Sequence, residues 1–261
     1  MKEACGLQEI IKPENLIYKN SKLLLDKRFT FCPGCGHGTT HRILAELIEE
    51  LGLQPKTIGV SPVGCSVLLY HFLDIDIHQA AHGRASAVAT GIKRVLPDKF
   101  VFAYQGDGDL AAIGTSETIH ACNRGENILI IYINNGIYGM TGGQMAPTTI
   151  PGMKSSTSPL GRDVQTMGYP LKITDVVATL PGTYYVTRQS VHTPAYVRKA
   201  KKAMRKAMEY QSHNKGLCFI EIVTICPSGW KMTPVESIKW MEEKMLPYYP
   251  LGDLKKPEEE N

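Results

Sequence analysis

The chain has 261 residues, 43% hydrophobic and 21% charged, an ordinary globular composition that excludes collagen and disordered tails. Twenty-nine Lys and Arg against 25 Asp and Glu leave a net charge of +4, too mild an excess to call for nucleic acid as a partner. The longest apolar run, 128–133, is far too short for a bilayer. The first five residues lack a basic start followed by an apolar core, so neither membrane nor secretion is expected and the cytoplasm is the expected location.

In chain order, residues 1–28 carry little periodicity and read as an N-terminal arm. Residues 39–51 place Ile43, Leu44, Leu47, Ile48 and Leu51 on one helical face, with Gly52 as a stop. A short strand follows over 57–61. Residues 84–96 are Ala-rich and helical, ended by Pro97. The pattern then gives a strand over 100–105, a helix over 111–122 and a strongly apolar strand over 127–134. Residues 138–162, rich in Gly, Thr, Ser, Pro and Met, break the alternation and read as a functional loop. Beyond it come a strand over 184–188, a helix over 194–210 with Ala200, Ala203, Met204, Ala207 and Met208 inward, an apolar strand over 217–224, and a helix over 234–245. The acidic tail (Glu258, Glu259, Glu260) is expected to fray, and no internal repeat is evident. Apolar strands alternating with helices predict an α/β fold, a mostly parallel sheet with helices on both faces. The principal domain is expected over 29–230, with 231–261 as a C-terminal helix and tail.

Gly106-Asp107-Gly108-Asp109 directly follows one strand and Asn134-Asn135 the next, with a helix between. Parallel strands bring Asp107 and Asn135 to one carboxyl edge, where open α/β folds bind ligands. Magnesium takes six hard oxygens and bridges protein to phosphates. The Asp107 carboxylate, the Asn135 amide and a nearby carbonyl such as Ile137 can supply three. Gly106 and Gly108 permit close approach of phosphates, and the helix starting near Asp109 points its positive end at the anion.

Seven cysteines in a chain expected in the cytoplasm argue against a disulfide framework. Cys32 and Cys35, in Cys32-Pro33-Gly34-Cys35, open the first helix. Cys65 follows one strand and Cys226 another, so all four fall in loops at or near strand ends. Four converging thiolates could hold zinc or an iron–sulfur cluster. Cys122 and Cys218 read as buried small hydrophobes, and Cys5 lies in the arm.

Taken together, Phe31-Cys32-Pro33-Gly34-Cys35-Gly36-His37-Gly38, Val63-Gly64-Cys65-Ser66, Ala81-His82-Gly83-Arg84-Ala85, Gly106-Asp107-Gly108-Asp109 and the run Asn134-Asn135-Gly136-Ile137-Tyr138-Gly139-Met140-Thr141-Gly142-Gly143-Gln144 resemble the thiamine-diphosphate-binding beta subunit of 2-oxoacid:ferredoxin oxidoreductases. The resemblance spans about residues 29–226. It implies a thiamine-diphosphate-binding fold and oxidative decarboxylation of a 2-oxoacid with coenzyme A, giving acyl-CoA and carbon dioxide, with single electrons passing to ferredoxin. By position, Cys32, Cys35, Cys65 and Cys226 would ligate a [4Fe–4S] cluster. Asp107, Asn135 and the Ile137 carbonyl would hold magnesium. Gly106, Gly108, Asp109, Met140 and Thr141 would border the thiamine diphosphate. No separate pyrimidine-binding half is evident and no Cys-x-x-Cys-x-x-Cys run is present. The resemblance therefore implies an alpha subunit carrying the pyrimidine-activating glutamate, and gamma and ferredoxin-like delta subunits.

His82 and Ser66 are the candidate catalytic side chains. His82, at a helix start, could meet the substrate carboxylate or the cofactor, or could equally be a capping or core histidine; Arg84 could instead form a structural ion pair. The apolar residues after Cys65, with Leu68 where 2-oxoglutarate-handling relatives tend to carry a cation, favour a branched-chain acid such as 2-oxoisovalerate over 2-oxoglutarate or pyruvate. Met140 suits the same pocket. Arg198, Lys199, Lys201, Lys202, Arg205 and Lys206 form a basic face that either attracts an acidic electron carrier or is simply solvated. A non-redox thiamine diphosphate lyase with structural zinc, and a scaffold subunit without cofactor, are the readings from other classes.

Overall fold

The strands found are β1 (Thr57–Ser61), β2 (Asp76–Gln79), β3 (Phe100–Gly106), β4 (Leu129–Asn134), β5 (Ile137–Tyr138), β6 (Gln144–Met145), β7 (Thr183–Ser190), β8 (Leu217–Val223) and β9 (Gly252–Lys255). The computed structural model describes residues 12–257; Cys5 and the acidic tail lie outside the described residues. Seven strands form one sheet in the order β2-β1-β3-β4-β8-β7-β9, and β5 and β6 form a separate hairpin. Every neighbouring pair in the large sheet is parallel except β7 with β9.

Helices cover both faces. On one lie α1 (Gly36–Glu50) and α5 (Pro194–Ser212). Ile43, Leu44, Leu47 and Ile48 of α1 and Met204 and Met208 of α5 pack on Phe102, Ile131 and Ile220. Each such fully buried side chain contributes about 2 kcal/mol relative to exposure. On the other face α2 (Ala85–Val95), α3 (Thr115–Asn123) and α4 (Ile173–Ala178) pack Ala89, Cys122 and Val177 against Val101, Ile130 and Phe219. Successive residues of β3 thus serve opposite faces, which is why these strands are apolar throughout. Cys122 is buried on this face and Cys218 on the face covered by α1 and α5.

The departures from expectation have physical causes. The first helix starts at Gly36 because Cys35 is already extended and serves as N-cap. After β3 the backbone turns helical at Asp107 and makes a π-helical turn over Asp109–Ile113 before α3. A Cβ on Gly114 would stand 2.4 Å from the Asp109 carbonyl, so the turn closes tightly there. The single helix expected over 234–245 is α7 (Pro234–Trp240) followed by a π turn at Met241–Met245. β2, α4 and β9 carried no strong pattern, being short or, for the two edge strands, polar. In the arm, Leu23 is buried and Leu24 bridges Leu73. Among the described residues no helix is long and apolar enough to cross a membrane.

Candidate cofactor site

Four neighbouring strands, β1, β3, β4 and β8, end at one edge. The residues leaving them are Cys65 after β1, Asp107 after β3, Asn135 after β4 and Cys226 after β8. The pairing of Gly106 with Ile133 puts Asp107 and Asn135 side by side. The amide of Ile137 donates to both Asp107 Oδ2, at 3.1 Å, and Asn135 Oδ1, at 3.2 Å. One N–H therefore holds two side-chain oxygens together.

Asp107 also accepts from the Gly108 amide at 2.8 Å and the Thr148 hydroxyl at 3.2 Å. Burial nevertheless dominates and pushes its carboxyl up to about 7. A buried carboxylate beside an amide oxygen is a setting that a divalent cation relieves. The cavity next to it, about 240 Å³, is lined by residues that include Asp107, Asn135, Gly108, Met140 and Thr141, and among the described residues no lysine or arginine lines it. A Cβ on Gly108 would lie 2.8 Å from the Tyr138 ring, so glycine lets that ring pack against the turn and leaves the turn without a side chain. These donors and this bare turn fit magnesium and a diphosphate.

Asp109 borders the same cavity with both oxygens already engaged. Oδ1 accepts from the Gly83 amide at 2.8 Å and from the Val63 amide at 3.4 Å, and meets His82 Nδ1 at 2.6 Å. Oδ2 accepts from Gln105 Nε2 at 2.6 Å, and Gln105 is held in turn by Ser86. Asp109 therefore ties three strand ends together and orients the His82 ring as well as bordering the cavity. His82 is 44% exposed in its side chain while Asp109 is fully buried. Thr141 donates its hydroxyl to Gln144. Ser66 is buried, with Oγ 3.5 Å from where a Cβ on Gly106 would sit. Arg84 forms an ion pair with Glu117 at 2.6 Å, the structural reading.

The four cysteines gather beside this cavity. A Cβ on Gly139 would lie 3.0 Å from Cys226 Sγ and 3.9 Å from Cys65 Sγ, so both sulfurs border one small space. Cys32 and Cys35 sit at the start of α1, close enough for Cys32 to act electrostatically on Cys35 and Cys65, and Cys35 on Cys226. A Cβ on Gly36 would overlap the Thr224 hydroxyl at 1.8 Å, so this glycine lets the Cys32–Cys35 loop lie against the end of β8. Burial pushes the Cys35 thiol up to about 11 and the Cys226 thiol to about 12. The backbone amides of His37 and Gly229 oppose this at Cys35 and Cys226 respectively. Among the described residues no three His, Cys, Asp or Glu side chains close around a single metal ion. A cluster asks for wider spacing, because each thiolate binds a different iron, and the glycine-walled space suits it.

Several participants were not singled out from sequence. His37 lines the cavity and bonds Tyr104 at 2.8 Å; its place inside Cys35-Gly36-His37 was the available signal. Ala112, Ile113 and Tyr138 also line the cavity, whereas Leu68, on which the substrate expectation partly rested, does not. On the basic face, Lys201 pairs with Glu46 and Glu50, and Arg205 with Glu50, so these two bind α5 to α1.

The family described as thiamine pyrophosphate enzyme, C-terminal TPP binding domain, matches residues 62–222. Ketoisovalerate oxidoreductase subunit VorA of Methanothermobacter thermautotrophicus is 42% identical over 225 residues, 86% of this chain and 47% of that one. The chain thus spans about half the length of the VorA relatives. 2-Oxoglutarate synthase subunit KorB of Methanocaldococcus jannaschii is 39% identical over 235 residues, 87% of this chain and 82% of that one. The solved 2-oxoglutarate:ferredoxin oxidoreductase from Magnetococcus marinus, with 2-oxoglutarate, coenzyme A and succinyl-CoA bound, superposes with a TM-score of 0.76 at 26% identity, covering 92% of this chain and 85% of that one. With the strand-end residues and these matches together, the chain belongs to the thiamine-diphosphate-binding subunits of the 2-oxoacid:ferredoxin oxidoreductase family.

Proposed function

We propose that this chain holds thiamine diphosphate, magnesium and a [4Fe–4S] cluster in an enzyme that oxidatively decarboxylates a 2-oxoacid to an acyl-CoA and passes electrons singly to ferredoxin. The observation that carries the reading is the shared edge, where Cys65 and Cys226 flank Asp107 and Asn135 on four consecutive strands. Thiamine diphosphate, when bound, supplies the carbanion chemistry and the iron–sulfur cluster a one-electron sink. Asp107, Asn135 and the Ile137 carbonyl would hold the metal, and Cys32, Cys35, Cys65 and Cys226 the cluster.

The catalytic work of the chain's own groups falls to His82 and Ser66. With Nδ1 committed to Asp109, the His82 ring keeps Nε2 to take or give a proton at the substrate's oxygen. Ser66, buried at the cavity wall, would hydrogen-bond the same acid.

For the substrate we favour 2-oxoisovalerate. The cavity wall offers Val63, Ala112, Ile113 and Met140 and no lysine or arginine among the described residues, so this chain presents no fixed cation to a second carboxylate. The VorA relative is named for ketoisovalerate. The KorB relative supports 2-oxoglutarate as the second reading. The partners proposed are an alpha subunit with the pyrimidine-activating glutamate, gamma and ferredoxin-like delta subunits, and ferredoxin as acceptor.

The test is anaerobic purification of the complex, assay of iron, sulfide and thiamine diphosphate, then coenzyme-A-dependent viologen reduction with 2-oxoisovalerate, 2-oxoglutarate and pyruvate. Brown protein reducing dye fastest with 2-oxoisovalerate is the expected result. A preference for 2-oxoglutarate overturns the substrate assignment, and zinc without iron overturns the redox reading.

A further inference from the structure

The apolar strand β8 carries one charge, Glu221, which is 1% exposed. Its partner in register on β7 is Arg188, 2% exposed. Arg188 Nε donates to Glu221 Oε2 at 2.6 Å, Nη1 donates to the Pro250 carbonyl at 3.2 Å, and Nη2 pairs with Asp175. A buried ion pair is no more stabilising than well-packed apolar residues of the same volume. Stability alone therefore does not account for this one.

Two limbs lead from it to the proposed metal site. Glu221 Oε1 accepts from Asn134 Nδ2 at 2.7 Å, and Asn134 Oδ1 accepts from the Gly136 amide at 3.1 Å. Asn134 and Gly136 flank Asn135, and Gly136 is held at φ +67°. On the second limb the Arg188 guanidinium lies 5.5 Å from the centroid of the Tyr249 ring. The Tyr249 hydroxyl donates to the Thr148 carbonyl at 2.7 Å, and the Thr148 hydroxyl donates to Asp107 Oδ2 at 3.2 Å. Both limbs are buried throughout.

We infer that the Arg188–Glu221 pair is a positioning device for the magnesium site, setting the turn at Asn135 through Asn134 and the carboxylate of Asp107 through Tyr249 and Thr148. The inference rests on the reading of Asp107, Asn135 and Ile137 as magnesium ligands. Groups behind metal ligands fix their orientation and govern affinity.

Glu221→Gln keeps the shape but sets an amide donor against either Arg188 or Asn134. In the purified complex saturated with thiamine diphosphate, this variant raises the Mg²⁺ dissociation constant about 10-fold. Its turnover at saturating magnesium stays near wild type. Tyr249→Phe, which removes one donor from the second limb, raises that constant about fivefold. Ile130→Val, in the core away from the site, lowers the melting temperature and leaves the constant unchanged, which separates positioning from general stability. If Glu221→Gln yields no folded complex, Tyr249→Phe decides alone. Wild-type protein that binds no Mg²⁺–thiamine diphosphate would sink the site itself. Wild-type binding with the folded variants within about twofold of it overturns this inference.

Discussion

The Trp230 indole N–H donates to the main-chain carbonyl of Asn135 at 3.0 Å, with both residues buried. Trp230 closes the short helix α6 (Pro227–Trp230) that begins directly after Cys226. The loop of Cys226, a proposed cluster ligand, is thereby fastened to the turn proposed to hold magnesium. Trp230→Phe keeps a ring against Trp240, whose centroid is 4.8 Å away, but leaves the Asn135 carbonyl buried without this donor. Such an orphan costs about 1–3 kcal/mol. The expected outcome is weaker retention of thiamine diphosphate, about 10-fold in dissociation constant, read by equilibrium dialysis of the complex. Unchanged retention would show that the two loops are independent.

Gly139 stands between two sulfurs, and the methyl of Gly139→Ala would lie 3.0 Å from Cys226 Sγ. Iron and sulfide content and the brown absorbance should fall to a small fraction of wild type while thiamine diphosphate stays bound. Gly91→Ala is the matching control, since its Cβ meets nothing within 4 Å. Inside α2 this change stabilises by about 1 kcal/mol and spares the cluster. A fully loaded Gly139→Ala protein would mean that the cluster does not occupy this space.

How much of this was legible before any coordinates depended on where the chemistry sits. Asp107 and Asn135 directly follow their strands, Cys65 and Cys226 come within four residues of theirs, and a parallel sheet delivers strand ends to one edge. The positions behind them were harder to read. Glu221 was visible as a charge inside an apolar strand, but nothing local names Arg188 or Tyr249 as its company, because those contacts join distant segments. β2 (Asp-Ile-His-Gln) and β9 (Gly-Asp-Leu-Lys) are polar edge strands, stabilised by a single neighbour, so periodicity could not announce them. Leu68 lies outside the cavity lining, since sequence adjacency to Cys65 does not fix which way the short helical turn over Cys65–Leu68 faces.

The His82–Asp109 pair gives a separable prediction. His82→Asn removes the imidazole proposed to transfer the proton and leaves Asp109 its bonds from Gly83 and Gln105. Turnover should fall about 100-fold, with thiamine diphosphate content and iron content as in wild type. Asp109→Asn, by contrast, disturbs Val63, Gly83 and Gln105 together and should lower both turnover and cofactor content. Stopped-flow dye reduction beside cofactor assay distinguishes the two. A His82→Asn enzyme at full rate leaves the histidine no proton-transfer role.

His41 supplies a pH prediction. Burial in the aromatic surroundings of Phe29, Phe31, Phe72 and Tyr104, helped by His37, holds its pKa well below the usual histidine range. Neither ring nitrogen has a hydrogen-bond partner among the described residues. A base whose folded pKa is depressed contributes full stability above its unfolded pKa, about 6.5, and loses it as pH falls, since only the unfolded chain takes the proton. His37, lowered to about 4 by burial, acts in the same direction. Asp107, raised to about 7, acts in the opposite one, because the folded carboxyl takes its proton first. The contribution of His41 is therefore isolated as a difference. His41→Leu gives up no hydrogen bond, and its stability relative to wild type should increase below pH 6.5 by up to about 1.4 kcal/mol per pH unit. Urea unfolding of both proteins from pH 7.5 to pH 5 measures it, and parallel curves across that range would place the charged ring in the folded protein.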